Sequence, residues 1–546
     1  MEVRTVTDPM LNTPVLERTI AAVLDRQVAT DPDKPALIEA ATGRTLGYAQ
    51  LQQSAFSVAT RLAEWGVDRQ EPVLMMLDNH LDIVVTWAGL GVGGMIAVGV
   101  NTAYKGDMLR YVADHSGART AIFDAKYLDR LADVLDGVPE LRTVIVRGDG
   151  GDVPEGLERR SFDDLLSADP RRPEPPHVSD ICTIIYTSGT EGRSKGVLCP
   201  HGHAFQTSAS YTYQTAPDDV VLVMLPLFHA GGLFAGVYNA LRGGATAVIQ
   251  PAFSAFRFWD EVRQYGCTQT LLIGAMIEFL WRQPPSPGDR DHPLRNVTVI
   301  PAMPYIDEFA ERFGLNVTSS YGSSELGTVS LTDPGEARPF LAGRPRSFIE
   351  MKIVDDDDVE VPRGVTGEIV VRSREPWAMF RGYHRNPEAT VHAWRNQWVH
   401  TGDAAYQDEN GRFIFVDRKK DALRRRGENV SSMEVEKYLL AREDVAEAAI
   451  VAVPSEHLED DIKAVLVLAE GARFEPEAIL RDLVERLPYF MVPRYYEAVD
   501  VLPRTQTHKI QKAELRKFGV TTTTWDCEAN GFVVSRSGLK EGQPTA

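Results

Sequence analysis

Cysteine is nearly absent from this chain. There are four in 546 residues, Cys182, Cys199, Cys267 and Cys527, and no two form a C-x-x-C pair. That spacing offers neither a disulfide frame nor a zinc site, and it fits a reducing cytoplasm. A basic excess is also missing. The 58 Lys and Arg are outnumbered by 77 Asp and Glu, for a net charge of −19, and no basic stripe gathers anywhere, which excludes a nucleic-acid partner. The N-terminus lacks a basic, apolar and cleavable sequence of segments, so secretion is not expected. Ile83 to Tyr104 is uncharged and long enough to span a bilayer, but Gly89, Gly91, Gly93, Gly94 and Gly99 interrupt it between Asp82 and Lys105. The expectation is a buried helix that turns at the glycines into a core strand, with no membrane span. His201 and His203 flank Gly202; two lone histidines make a poor metal site and are expected to be structural.

What is present is a soluble globular composition, 43% hydrophobic and 25% charged, in a chain too long for one ordinary domain. Residues 16–145 alternate a helical stretch (Phe56–Trp65) with strand-like runs (Val73–Leu77, Thr143–Val146), an α/β pattern. It resumes through Val220–Leu225, Ala245–Ile249, Gln269–Ile273 and Val297–Ile300. From Phe348 to Arg372 strands and turns take over, with Asp355–Asp358 as a solvated acidic turn. A charged run at Asp417–Lys420 marks a domain boundary. Beyond it a smaller α+β unit is expected, with a helix opened by the Ser431/Glu434 capping box, strands Ala448–Val453 and Ala464–Leu468, and a helix from Pro476 to Leu487. Gly519–Ala546, rich in Thr, Ser and Gly, reads as a loosely held tail.

Tyr186–Val197, YTSGTEGRSKGV, is the most informative string. The apolar run Ile181–Tyr186 empties into a loop of Gly, Ser and Thr that ends on Lys195. Gly189, Gly192 and Gly196 let backbone N–H groups turn inward, and Thr187, Ser188 and Thr190 add hydroxyls. Lys195 adds charge, completing what a polyphosphate requires. The spacing is not that of a Walker loop, and the apolar Val197–Leu198 that follows predicts a loop joining two strands.

Four further strings occur in order: Tyr321–Gly327 (YGSSELG), Trp398–Asp403 (WVHTGD), Arg424–Ser432 (RRRGENVSS) and Leu502–Lys512 (LPRTQTHKIQK). With the phosphate loop they resemble the adenylate-forming superfamily of acyl-CoA synthetases, adenylation domains and luciferases over roughly residues 16 to 518, most closely the crotonobetaine/carnitine-type and medium-chain acyl-CoA ligases. The resemblance implies an α/β fold: a large N-terminal domain of helix-flanked sheets with a small barrel-like part (1–417), a hinge (418–420), a mobile C-terminal α+β domain (421–518) and the tail (519–546). It implies that Thr187, Ser188, Gly189, Thr190 and Lys195 grip ATP phosphates, that Tyr321 stacks on adenine and that Ser324 lies near the α-phosphate. Asp403 and Arg418 would hold the ribose. Glu325 with Thr190 would hold Mg2+, Lys509 would be the catalytic lysine, Lys420 the hinge, and Gly427 the glycine past which the acceptor threads. Pro226–Gly232 (PLFHAGG) resembles an acyl-pocket motif with His229 at the substrate wall, and Ala302 in Ile300–Pro304 lies where the family lines that tunnel.

The implied activity is ATP-dependent formation of an acyl-AMP from a carboxylic acid, with release of pyrophosphate, followed by transfer to coenzyme A. Phe228–Tyr238 contains no acidic residue, which argues against an α-amino acid substrate. Glu191, Ser194, Pro301, Met303 and His508 depart from the family pattern. They leave open an amide-forming ligase or a diazotase that activates nitrite for an aryl amine. Carrier-protein loading also stays open, although no carrier segment follows Lys512; a non-enzymatic scaffold does not suit so full a set of ATP-facing residues. The expected partners are a small-molecule acid and its acceptor, in a cytoplasmic monomer or homodimer.

Overall fold

The computed structural model describes residues 8–187, 193–209, 215–303, 305–418, 422–426, 428–455, 460–503, 510 and 512–542. The chain divides into two compact units: Met1–Thr102, Leu109–Tyr186 and Gly196–Asp417 in the first, and Ala103–Met108, Thr187–Lys195 and Arg418–Ala546 in the second.

The first unit holds two sheets. One runs in the order Glu158–Ser161, Thr143–Arg147, Thr120–Asp124, Pro72–Met76, Ile96–Gly99, Ile181–Thr187 and Lys195–Pro200, with parallel pairing through Ile181–Thr187. Its central strands are unbroken apolar runs because helices cover both faces of a parallel sheet. The uncharged segment behaves as its glycines predict. Helix Leu81–Val92 is buried at every position and opens on His80, whose Nδ1 accepts the Ile83 N–H at 3.3 Å. The chain then reverses through Gly94, at φ +71°, into the core strand Ile96–Gly99. Gly89 and Gly91 are what allow the helix to sit so deep: a Cβ on either would lie 2.5 Å from Val58 or Ile20. No described helix is long and apolar enough to cross a membrane.

In the second sheet, parallel strands Pro35–Glu39, Thr246–Ile249, Val220–Val223, Gln269–Ile273, Asn296–Ile300 and Asn316–Ser323 lie side by side. At Ser323 the chain turns back into Gly327–Leu331, and the sheet continues with Leu341–Pro345, Phe413–Arg418, Trp398–Gln407, Gly367–Ser373 and Ile349–Val354. This change from parallel to antiparallel places YGSSELG at the junction. The acidic run Asp355–Asp358 is a turn in which the Asp355 carboxylate accepts the N–H groups of Asp357 and Val359 at 3.0 and 2.9 Å.

The second unit is built on a sheet of Val445–Pro454, Asp460–Leu468, Tyr495–Ala498 and Trp525–Asp526, with helices Ser432–Leu440, Pro476–Arg486 and Lys512–Phe518. The expectation of a loose tail is corrected here. Trp525–Asp526 pairs with Tyr495–Tyr496, and Phe532–Ser535 forms a hairpin with Gly538–Glu541. The threonines that suggested disorder are structural, because Thr521, Thr523 and Thr524 donate hydroxyls to the buried Glu497 carboxylate, which also pairs with Lys463. Arg494 fixes the next segment through Asp526 at 2.8 and 3.0 Å.

In the same unit, burial raises the Glu434 carboxyl to about 7, against a hydrogen bond from the Ser194 backbone and the charge of Lys437, both of which lower it. The folded chain therefore keeps this proton to higher pH than the unfolded chain. Its contribution to stability is complete below the ordinary carboxylate pKa of about 4.3 and is lost as pH rises through the folded value. Thermal midpoints measured from pH 5 to 8 should fall less steeply for Glu434→Gln than for the wild type; identical slopes would show that Glu434 does not titrate this way.

Candidate active site

The site grows from the turn between Asn316–Ser323 and Gly327–Leu331. The Ser323 hydroxyl accepts the N–H groups of Glu325 and Leu326 at 3.2 and 3.3 Å, which closes the turn. Gly322 is required because a Cβ there would collide with the Gly327 carbonyl, and Gly327 itself sits at φ +67° against Gln206 and Thr207. A fully buried guanidinium braces the returning strand. Arg346 pairs with both oxygens of Asp8 at 2.9 and 2.7 Å and donates to the Gln206 and Thr328 carbonyls at 2.9 and 3.1 Å. Removing one partner of such a buried pair costs about 3–5 kcal/mol.

Glu325 is held at both ends. Its carbonyl accepts the Phe380 N–H at 2.9 Å, and its Oε1 accepts the Tyr383 hydroxyl at 3.0 Å. Burial, and then the charge of Glu325, push the Tyr383 phenol far above its ordinary pKa, so it remains a donor. Tyr383 is carried there by a segment running beside Lys195–Pro200: Leu198 N–H donates to Gly382 O at 3.0 Å and His384 N–H to Gly196 O at 2.7 Å. From the other side, His203 Nε2 donates to Ser324 O at 2.9 Å, while Ala378 O lies 3.3 Å from Nδ1. Burial lowers the His203 pKa, although the two carbonyls and Glu325 draw it up.

Tyr321 and Asp403, which the sequence assigns to adenine and ribose, meet directly: the phenol donates to Asp403 Oδ2 at 2.7 Å. Asp403 is set by its own turn. Its N–H donates to Thr401 Oγ1 at 3.0 Å, that hydroxyl donates to Ile369 O at 2.9 Å, and Gly402 N–H donates to Glu368 Oε1 at 2.9 Å. The phenol and the carboxylate thus lie side by side, both half-buried.

His229 lies at the start of a wide π-type helix, Gly231–Tyr238, with its ring centroid 4.5 Å from that of Phe228. Such helices recur at functional sites. Asn79 fixes the approach to it: its amide donates to Leu225 O and Gln250 O at 3.0 and 3.2 Å, and its Oδ1 accepts Leu227 N–H at 2.9 Å. Gly99 lets Phe228 pack close, since a Cβ there would lie 3.0 Å from the Phe228 Cα. Ala302 is buried with Met303 in the apolar cluster under Asn296–Ile300.

Thr187 and Lys195 end and begin the two strands that flank the phosphate loop, as expected of a strand-to-strand connection. Ser188, Gly189, Thr190, Lys420, Gly427 and Lys509 lie outside the described residues, and of Arg418 only its place at the end of Phe413–Arg418 is described. Sequence reasoning missed Tyr383 and Asn79, and it gave His203 a structural part without its contact to the turn. The Tyr383–Glu325 contact joins residues 58 positions apart, and no motif of the chain links them.

Glu325 would offer Mg2+ a carboxylate oxygen, since such an ion needs few protein ligands when phosphates supply the rest.

The AMP-binding enzyme family matches residues 24–384, and the AMP-binding enzyme C-terminal domain matches residues 434–509. The crotonobetaine/carnitine–CoA ligase of Salmonella agona (strain SL483) is 32% identical over 503 residues, covering 89% of this chain and 96% of that protein. Its counterpart from Citrobacter koseri is 31% identical with the same coverage. Among solved structures, the amide bond synthetase McbA from Marinactinospora thermotolerans superposes with a TM-score of 0.79 at 25% identity, covering 92% of this chain and 99% of its own. The chain belongs to the AMP-binding, adenylate-forming enzyme family and is an acyl-CoA synthetase-like ligase.

Proposed function

We propose that this enzyme joins a carboxylic acid to coenzyme A in two steps. A carboxylate oxygen attacks the α-phosphorus of ATP in line; a C–O–P linkage forms and pyrophosphate leaves. The thiolate sulfur then attacks the acyl carbon, and AMP leaves with the oxygen that came from the acid. The observation that carries this reading is the Tyr321–Asp403 contact at 2.7 Å, which joins the two adenosine-facing residues beside the Glu325 turn.

Magnesium, when bound, neutralises phosphate charge and favours departure of pyrophosphate. The chain's part is to present the Glu325 carboxylate in one orientation, fixed by Tyr383 and by His203 behind it. Lys509 offsets charge developing at the first transition state, and Thr187, Ser188, Gly189, Thr190 and Lys195 hold the phosphates. For the second step the C-terminal domain turns at Lys420, withdraws Lys509 and presents Gly427, beside which the pantetheine arm threads. The Salmonella and Citrobacter relatives support a short or carnitine-like acid, and His229 and Ala302 would line its pocket. The likeness to an amide bond synthetase supports an amine acceptor as the second reading.

Pyrophosphate release across a panel of acids and nitrite, each with and without coenzyme A or an aryl amine, tests the assignment. A short or carnitine-like acid should give release coupled to thioester formation. Turnover only with an amine or with nitrite would replace the thiol reading.

A further inference from the structure

The C-terminal hairpin Phe532–Ser535/Gly538–Glu541 lies outside both matched family segments, yet it reaches the turn of the hairpin Ala422–Arg425/Glu428–Ser431. The contact is specific. Arg426 Nη1 donates to the Val534 carbonyl at 2.8 Å, and its guanidinium lies 5.3 Å from the Tyr489 ring centroid. Arg536 from the tail holds the same tyrosine, donating from Nε to Tyr489 Oη at 3.1 Å with its guanidinium 5.7 Å from the ring. The tail hairpin is in turn fastened to helix Pro476–Arg486 by Arg481, which meets Glu541 at 2.7 Å and the Phe532 ring at 5.4 Å.

Arg426 has a backbone φ of +55°, a region that residues other than glycine avoid. Burial also lowers its pKa, helped by neighbouring Arg425. A strained backbone and a desolvated cation persist together only where the surroundings over-determine them. Arg425 supplies one side of that restraint, through Asp461 at 3.1 Å and the Val492 carbonyl. The tail supplies the other, with a carbonyl acceptor and a clamped aromatic face.

We propose that the C-terminal hairpin is a positioning element for the second half-reaction: it fixes Arg426, the residue that precedes Gly427 in the chain, for the arrival of the acceptor. This rests on reading Gly427 as the acceptor-side glycine. The composition of 519–546 looks dispensable, but on this reading its hairpin serves the transfer step rather than adenylation.

Two variants test this, both in the full chain with its usual substrates: deletion of 531–546, and Arg426→Ala with the tail intact. ATP–pyrophosphate exchange reads the first step. Conversion of supplied acyl-AMP reads the second, with whichever acceptor the wild type uses. In both variants, exchange should stay within about two-fold while transfer falls about ten- to a hundred-fold, with a raised KM for the acceptor, the scale on which a small misplacement acts. The two changes combined should cost no more than either alone. Wild-type transfer rates in Arg426→Ala would overturn the proposal, as would equal losses in both half-reactions. A wild type that transfers to an amine and never to coenzyme A would overturn the thiol reading instead, and the same ratio measured with that amine would still decide the role of the hairpin.

Discussion

Glu325→Gln should lower adenylate formation by about 100- to 1000-fold, the scale on which one preorganised electrostatic group acts. The substitution keeps the shape of the side chain and an oxygen that can still accept the Tyr383 hydroxyl, so the turn closed by Ser323 and backed by His203 should stay in place. What disappears is the negative charge. A hard cation shared with the phosphates would then be held from the protein side by a neutral amide oxygen, a much poorer ligand. The loss should therefore appear in the magnesium dependence of pyrophosphate release, with the thermal midpoint nearly unchanged. Near-normal release at ordinary magnesium concentrations would mean that the turn has been misassigned. Tyr383→Phe is the graded companion. It leaves the charge but frees its orientation, so its effect should be smaller and should not alter the metal dependence as steeply.

Lys509→Ala should separate the two half-reactions. An ammonium group placed at the α-phosphate offsets charge that exists only while the bond to the acid is forming, so its removal should cost several orders of magnitude in acyl-AMP formation. Transfer from supplied acyl-AMP to the acceptor makes no use of that charge and should retain most of its rate. Single-turnover measurements of each step decide the matter. Equal losses in both would remove Lys509 from the chemistry.

These two residues also mark how far the sequence alone could reach. Local strings singled out Tyr321, Glu325 and Asp403 as site candidates, and the fold brings the first and last of them into contact. The parallel strands were legible for a local reason: runs such as Val73–Met76 are apolar on both faces because helices cover both faces. The glycine-broken segment was legible as a buried helix turning into a core strand, but that Gly89 and Gly91 serve close helix packing is seen only in the fold. What sequence could not give were contacts between distant strings. Tyr321 meets Asp403 across 82 positions, and one partner of Arg426 is a main-chain carbonyl, Val534, which any residue could supply. The tail was misread because composition reports average behaviour. Thr521, Thr523 and Thr524 look like a flexible linker until Glu497 and Lys463 are seen buried beneath them.

The central claim is that an acid oxygen is transferred to AMP before the thiol arrives. It is tested most directly by supplying the active acid with both carboxylate oxygens labelled as 18O, together with ATP and coenzyme A, and weighing the products by mass spectrometry. The account predicts one 18O in each AMP, one retained in each acyl thioester, and unlabelled pyrophosphate. Unlabelled AMP, or ADP and phosphate in place of AMP and pyrophosphate, would contradict it.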